Sequence, residues 1–168
     1  DETYVLHGFK PSAFLEPSID FYGEKHLLDI GLPQASCWKV WTKEDVRSTF
    51  HQRSPGSHKG TFGNGLLLAG SDEMPGSAML AALGAMRAGI GKLTVGTTLH
   101  AAGIIAGRVP ECTYMLEGLE AVRSGEPLGA FSAAAIGPGL LDEDSVEEAL
   151  HLLFEEEFPI IIDAGALK

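Results

Sequence analysis

The chain has 168 residues, of which 45% are hydrophobic and 21% charged, so it is long enough to bury the core of one globular domain. The formal net charge of -11 argues against nucleic acid or an anionic membrane surface as a partner, because both require a basic face. The two cysteines, Cys37 and Cys112, are too few and too distant in sequence to indicate a disulfide framework or a metal site. We therefore expect a cytoplasmic protein that binds neither membranes nor nucleic acid.

The first part of the chain predicts few regular elements. Residues 3–9 and 24–30 have the composition of two strands, which a loop rich in proline and glycine connects. Residues 34–41 are interpreted as a linker. Thr42 is an N-cap candidate, followed by acidic residues, and predicts a short helix that ends near Phe50. Residues 51–64 are polar and predict a loop.

From residue 65 onward the pattern alternates between strands and helices. The strands are continuous apolar runs, which is typical of parallel strands that helices cover on both faces. We therefore predict an α/β fold with a mostly parallel sheet. The predicted strands are 65–70, 92–97, 111–115, 132–136 and 159–163, and the predicted helices are 76–88, 99–107 and 143–156.

The candidate functional residues follow three of these strands directly. Ligands of parallel sheets bind beyond the carboxyl ends of the strands. Residues 70–76 form a glycine turn that leads into a helix, but the turn lacks the lysine of a phosphate-binding Walker loop. Residues 137–139 form a second glycine turn without the dinucleotide-binding spacing, and Asp163 ends the last strand. Each turn is compatible with ligand contact or with a plain turn, and Asp163 with ligand binding or loop capping.

Several further sequence pieces form a combination that is specific to one family. They are residues 41–46, 57–63, 68–71, 76–81, 85–96, 136–140 and 161–167. In this combination the chain from residue 41 to 168 resembles the N-terminal half of the NAD(P)H-hydrate dehydratases. The resemblance implies a ribokinase-like fold, incomplete in this chain.

The first 33 residues resemble another domain. Residues 10–11, 22–23 and 29–33 are similar to the last strands of NAD(P)H-hydrate epimerase domains. The expected organisation is an epimerase-like end at 1–33, a linker at 34–41 and the first half of a dehydratase domain at 42–168. The chain thus looks like the junction of a bifunctional repair protein.

The resemblance also implies an activity, which is dehydration of (S)-NADH or (S)-NADPH hydrate with the help of ADP or ATP and Mg²⁺. Ala78 and Gly139 match positions that contact the hydrated cofactor, and Ser77 and Gly137 belong to the same two turns. Lys59 and Asp163 are further candidates for the same cleft.

The same resemblance places the ADP-binding segment and the catalytic aspartate of the family beyond Lys168. We further expect a homo-oligomer, and residues 1–168 alone are expected to be inactive and prone to association. Two alternatives stay open at this point: a ribokinase-like kinase acting on a small molecule such as a vitamin precursor, and an incomplete chain that serves only in binding or assembly.

Overall fold

A computed structural model describes residues 1–33, 36–37, 39–50 and 53–168. The chain divides into two compact units, Asp1–Arg53 and Ser54–Lys168. Residues 34, 35 and 38 of the predicted linker, and residues 51 and 52 of the predicted loop, lie outside the described residues. The predicted helix after Thr42 therefore belongs to the first unit.

The first unit contains two strands and one helix. Strand β1 (Glu2–Leu6) pairs in parallel with β2 (Glu24–Leu28), and two short 3-10 turns, Pro11–Ala13 and Ile19–Phe21, lie between them. Helix α1 (Lys43–Thr49) is fully exposed. Its start is a capping box, because Thr42 Oγ1 accepts a hydrogen bond from the Asp45 N–H at 3.2 Å and Asp45 accepts one from the Thr42 N–H at 2.8 Å.

The second unit is built on a five-stranded parallel sheet in the order β5-β4-β3-β6-β7. The central strand β3 owes its position to consecutive leucines at 66–68, which are buried on both faces of the sheet. The strands are β3 (Asn64–Leu68), β4 (Lys92–Thr97), β5 (Thr113–Leu116), β6 (Ala133–Ile136) and β7 (Ile160–Ile162).

Helices cover both faces of this sheet, as predicted. Leu67 packs with residues of α2 (Pro75–Ala88) and α3 (Leu99–Ala106) on one face. Leu66 and Leu68 pack with residues of α4 (Gly118–Arg123) and α5 (Glu143–Phe154) on the other. The predicted strands and helices of this unit agree with the observed bounds within two residues.

Helix α4 was not predicted from the sequence. It is six residues long and begins with Gly118, so its intrinsic tendency to form a helix is weak. A Cβ built on Gly118 would lie 2.4 Å from the Cα of Gly96, so the glycine allows α4 to pack directly against β4. Helix α4 therefore forms because it packs against the sheet, and the local sequence does not indicate this contact.

Strand β7 is apolar along its whole length but is only partly buried. It pairs with β6 and forms one edge of the described sheet. Its central residue, Ile161, is 67% exposed. An apolar strand of a parallel sheet normally has neighbours on both sides, so this edge is the surface through which residues 1–168 alone are expected to associate.

Candidate functional site

The two glycine turns meet at the carboxyl edge of the sheet. Gly70 follows β3 by two residues, and residues 137–139 follow β6 directly. The Gly70 N–H donates a 2.8 Å hydrogen bond to the carbonyl of Pro138, so the turns are joined through their backbones. This edge is where ligands of parallel sheets bind.

Glycine is required at two positions of the turn at 137–139 because other backbone segments approach it closely. Gly139 has a φ of 74°, and a Cβ there would lie 2.8 Å from the carbonyl oxygen of Met74 and 3.0 Å from Ser77 Cβ. Gly137 has a φ of 126°, and a Cβ there would lie 1.7 Å from the carbonyl oxygen of Asp163. Five of the six predicted substrate-binding residues therefore lie together at this edge: Ser77, Ala78, Gly137, Gly139 and Asp163.

These five residues differ in how a ligand could reach them. Ala78 has no exposed surface and packs in the core. A Cβ built on Gly70 would lie 2.8 Å from the Cβ of Ala78. Ser77 is half-buried at the start of α2. Asp163 is exposed at the end of β7, and its side chain forms no capping hydrogen bond. A ligand thus has access to Ser77 and Asp163, whereas the side chain of Ala78 shapes the floor beneath them.

The sixth predicted residue, Lys59, lies elsewhere. It is exposed in a short 3-10 turn, Lys59–Phe62, that precedes β3 at the amino edge of the sheet. The Gly91 N–H donates to the carbonyl of Phe62 at 3.0 Å, which holds this turn beside the start of β4. A strand rises about 3.3 Å per residue, so the length of β3, roughly 16 Å, separates Lys59 from the glycine turns.

An open cavity of about 290 Å³ adjoins the two turns. It extends from Gly70 and Leu140 across the end of β4 to the start of α4, and it is close in size to the smaller ligand pockets of proteins. Sequence reasoning missed most of its polar lining. Thr97 and Thr98 follow the same rule as the glycines, since they end a predicted strand at this edge. The polar lining residues are Thr97, Thr98, Glu117, Glu120, Arg123, Asp142 and Ser145.

Hydrogen bonds hold the cavity rim in place. Thr98 Oγ1 donates to Asp72 at 2.5 Å and accepts from the Ala101 N–H at 3.2 Å, so it caps α3. Glu117 accepts a hydrogen bond from the Leu99 N–H at 3.3 Å. The carboxylates of Asp72 and Glu117 thus both face the amino end of α3, where the helix dipole favours negative charge.

The opposite wall of the cavity is a charged network between α4 and α5. Arg123 donates to Glu148 through Nε and to Glu120 at 3.0 Å through a terminal nitrogen, and these partners raise the pKa of its guanidinium. Asp142 caps α5, because it accepts hydrogen bonds from the Ser145 hydroxyl at 2.7 Å and from the Ser145 N–H at 3.3 Å. Those hydrogen bonds lower the pKa of Asp142. The charge of Arg123 is balanced by its ion pairs with Glu120 and Glu148.

Few of the described residues could hold a metal ion. Glu2, Glu24 and His26 of the first unit are the one group of three ligand-type side chains found together in the described ranges, and two of them are exposed carboxylates. Cys37 is exposed and Cys112 is buried, and both are free thiols. Among the helices of the described residues, none combines the length and the apolar character that crossing a membrane requires.

The parallel sheet, the helices on both faces and the glycine turns at the carboxyl edge define a ligand-binding α/β protein. Residues 65–168 match the family described as NAD(P)H-hydrate dehydratase, and the chain belongs to this family. The resemblance that the sequence pieces indicated is thereby confirmed.

Individual relatives agree with this assignment. The chain is 47% identical over 127 residues to the ADP-dependent (S)-NAD(P)H-hydrate dehydratase of Bacillus subtilis (strain 168). The aligned region covers 76% of this chain and 46% of that protein. It is 30% identical over 187 residues to the bifunctional NAD(P)H-hydrate repair enzyme Nnr of Synechocystis sp., and this aligned region covers 100% of this chain and 34% of that protein. The chain therefore spans less than half the length of these curated relatives.

Solved structures confirm the predicted fold. The crystal structure of ADP/ATP-dependent NAD(P)H-hydrate dehydratase from Bacillus subtilis, co-crystallised with ATP/Mg²⁺, has a TM-score of 0.73 and 46% identity, over 79% of this chain and 48% of that one. A ribokinase-like superfamily protein from Enterococcus faecalis has a TM-score of 0.63 at 24% identity, over 76% of this chain and 45% of that one. At this low identity the comparison supports a shared fold and no shared function.

Proposed function

We propose that the protein containing this chain returns (S)-NADH or (S)-NADPH hydrate to the reduced cofactor in a reaction that consumes ADP or ATP. The observation that carries this proposal is the family match over residues 65–168, which contain both glycine turns and the cavity that adjoins them. The Bacillus subtilis relative at 47% identity is named for this reaction.

The chemistry requires a leaving group. The ring hydroxyl of the hydrate attacks the terminal phosphoryl group of the nucleotide, which forms a phosphate ester and releases the shortened nucleotide. The ester C–O bond then breaks, phosphate departs with the electron pair, and the neighbouring ring carbon loses a proton. The new C=C bond restores the dihydronicotinamide. When bound, Mg²⁺ neutralises the negative charge of the nucleotide phosphates.

The residues of this chain serve the hydrate in this scheme. The glycine turns at Gly70 and Gly139 give a flat surface on which a ring can rest, and Ser77 and Asp163 offer polar atoms at its margin. The lining of the cavity supplies one cation, Arg123, which is already paired with Glu120 and Glu148. We therefore place the phosphates of the nucleotide and Mg²⁺ outside this cavity.

We also propose that residues 1–33 belong to an epimerase domain of the same protein. The support is that relatives aligned over nearly the whole chain are named bifunctional NAD(P)H-hydrate repair enzymes, as in Synechocystis sp. and Moorella thermoacetica. The acidic composition supports a cytoplasmic location. Large exposed apolar side chains in the second unit, among them Leu80, Leu99 and Ile161, support a homo-oligomer.

The test is to incubate the full-length protein with NADH hydrate and follow the absorbance band of reduced nicotinamide. We expect the band to return only when ADP or ATP is present together with Mg²⁺. No return with either nucleotide, in folded protein, would contradict the proposal. Transfer of phosphate to an unrelated small molecule, without return of the band, would instead support the kinase alternative.

A further inference from the structure

A buried hydroxyl group at the carboxyl edge has no hydrogen-bond partner among the described residues. Thr97 is the last residue of β4 and is only 3% exposed. Its Oγ1 is buried and forms no hydrogen bond with any of the described residues. Buried polar atoms are paired in the great majority of native structures, because an unpaired one loses its hydrogen bonds with water and gains nothing in return. An unpaired hydroxyl therefore requires a reason.

The position of this hydroxyl supplies one. Thr97 and Gly70 both line the cavity. A Cβ built on Gly70 would lie 3.1 Å from Thr97 Oγ1 and 2.8 Å from Ala78 Cβ, so any side chain at residue 70 would fill the space beside the hydroxyl. Glycine avoids this crowding. Thr97 thus belongs to the cavity wall at a place that carries no side chain from residue 70, and a small polar group of a ligand that enters there could pair with its hydroxyl.

The charges around the cavity limit what that ligand group can be. Glu117, Glu120 and Asp142 contribute carboxylates to the lining, and Arg123 is paired with Glu120 and Glu148. A phosphate placed here would meet like charges without a free cation. An uncharged group that carries hydroxyl or amide hydrogens would instead find acceptors on the carboxylates.

The substrate of the proposed function has such a group at one end. Its hydrated nicotinamide riboside carries a carboxamide and several hydroxyl groups and no charge, whereas its other half carries the phosphates. We propose that Thr97 is a substrate-binding residue, whose hydroxyl forms a hydrogen bond with the carboxamide or a hydroxyl group of this uncharged end. This inference rests on the proposed function. It adds to the proposed substrate site a residue that forms hydrogen bonds with the polar groups of the nicotinamide end.

The test compares three variants of the full-length protein. Thr97→Val removes the hydroxyl and keeps the branched shape, Thr97→Ser keeps the hydroxyl, and Thr94→Val is the matched control on the same strand. The hydroxyl of Thr94 is already paired with that of Thr113 at 2.8 Å. The affinities for NADH hydrate and for ADP are measured separately by calorimetry, and the melting temperature is recorded for each variant.

We expect Thr97→Val to weaken NADH hydrate binding by about three- to tenfold, the range expected for one lost hydrogen bond, with unchanged ADP affinity. Its melting temperature should stay the same or rise, because the protein loses an unpaired buried hydroxyl. Thr97→Ser should bind within about twofold of the wild type. Thr94→Val should bind normally but melt earlier, because it breaks a pair that the free protein contains.

Three results would overturn the inference. One is wild-type affinity of Thr97→Val for NADH hydrate. A second is a parallel loss of ADP affinity and melting temperature in Thr97→Val, which would show that the hydroxyl supports the fold. The third is failure of the wild-type protein to bind NADH hydrate, which would remove the proposed function as well. If the wild-type protein binds and converts NADH hydrate and Thr97→Val binds it equally well, the proposed function stands and only the role of Thr97 is contradicted.

Discussion

The N–H of Gly70 donates a 2.8 Å hydrogen bond to the carbonyl of Pro138. This bond joins the turn after β3 to the turn after β6, which are distant in the sequence. A Cβ on Gly139 would also lie 3.3 Å from the Cα of Gly70, so the contact is tight. The two turns therefore form one structural unit, and a change in one should affect ligand binding at the other.

Gly139→Ala tests this coupling. The alanine would need a left-handed backbone and would press its Cβ against the carbonyl of Met74, 2.8 Å away. We expect a loss of roughly 1–3 kcal/mol in the free energy of unfolding, as for other strained residues, together with weaker binding of NADH hydrate. Denaturant unfolding and calorimetry on the full-length protein measure the two effects.

Gly84→Ala is the matched control for that variant. Gly84 lies inside α2, and a Cβ there meets nothing within 4 Å. Alanine forms helices better than glycine, so the free energy of unfolding should rise by roughly 0.5–1 kcal/mol and binding should not change. If Gly139→Ala behaved like Gly84→Ala, the tight contact between the turns would be refuted.

Ala78→Leu distinguishes a core role from direct ligand contact. Ala78 has no exposed surface and packs with Leu67 and Ala82 in the core. A larger side chain should therefore lower the free energy of unfolding by about 1–3 kcal/mol. Ala88→Leu, at the exposed end of the same helix, should change it by less than about 0.5 kcal/mol. Normal stability of Ala78→Leu with abolished binding of NADH hydrate would show that the side chain faces the ligand.

The sequence predicts this fold well because three strands of the second unit, β3, β6 and β7, contain continuous apolar runs. Leu66, Leu67 and Leu68 indicate a central parallel strand without any knowledge of its partners. Gly137 and Gly139 are predictable as turns at a strand end, and their place in the site follows from the general position of ligands in parallel sheets.

Other parts of the site depend on contacts that a local pattern does not contain. Glu117 has a left-handed backbone with a φ of 51°, which directs the chain into α4 and brings Arg123 to the cavity. Lys59 is a candidate for the site only through the family resemblance. Because Lys59 precedes β3 and Gly70 follows it, the predicted strand already separates Lys59 from the carboxyl edge; only the structure shows that the turn at Lys59–Phe62 stays beside the start of β4 and does not fold back.

The pH dependence of stability should reveal the Asp142 cap. Hydrogen bonds from Ser145 lower the pKa of Asp142 in the folded protein. Its contribution is therefore fully present above the unfolded value of about 3.9 and is lost as the pH falls through the lower folded value. The melting temperature of the wild type should exceed that of Asp142→Ala at pH values near neutrality, and this gap should shrink in strong acid.

Asp142→Asn is the control for titration. Asparagine caps helices about as well as aspartate but carries no charge that acid could remove. The difference in melting temperature between Asp142→Asn and Asp142→Ala should therefore not depend on pH. A wild-type advantage over Asp142→Ala that stayed constant into strong acid would show that Asp142 does not titrate as the hydrogen bonds indicate.

The exposed edge at β7 predicts association of the 1–168 polypeptide expressed alone. Ile161 is 67% exposed on an edge strand, where an apolar side chain and unpaired backbone groups favour pairing with another chain. Ile161→Lys should reduce the association seen by light scattering. Leu167→Lys is the control, because Leu167 is 69% exposed but lies in a 3-10 turn. Equal effects of both variants, or a monodisperse wild-type polypeptide, would argue against pairing through β7.

Hydrogen–deuterium exchange of the full-length protein with and without NADH hydrate tests the central claim most directly, because it locates the ligand on the sheet. The account predicts slower exchange at residues 70–78, 97–98 and 137–140 at the carboxyl edge, and unchanged exchange at 59–63 at the amino edge. Protection confined to 59–63, or protection at neither edge despite confirmed binding, would contradict the assignment of the cavity as the substrate site.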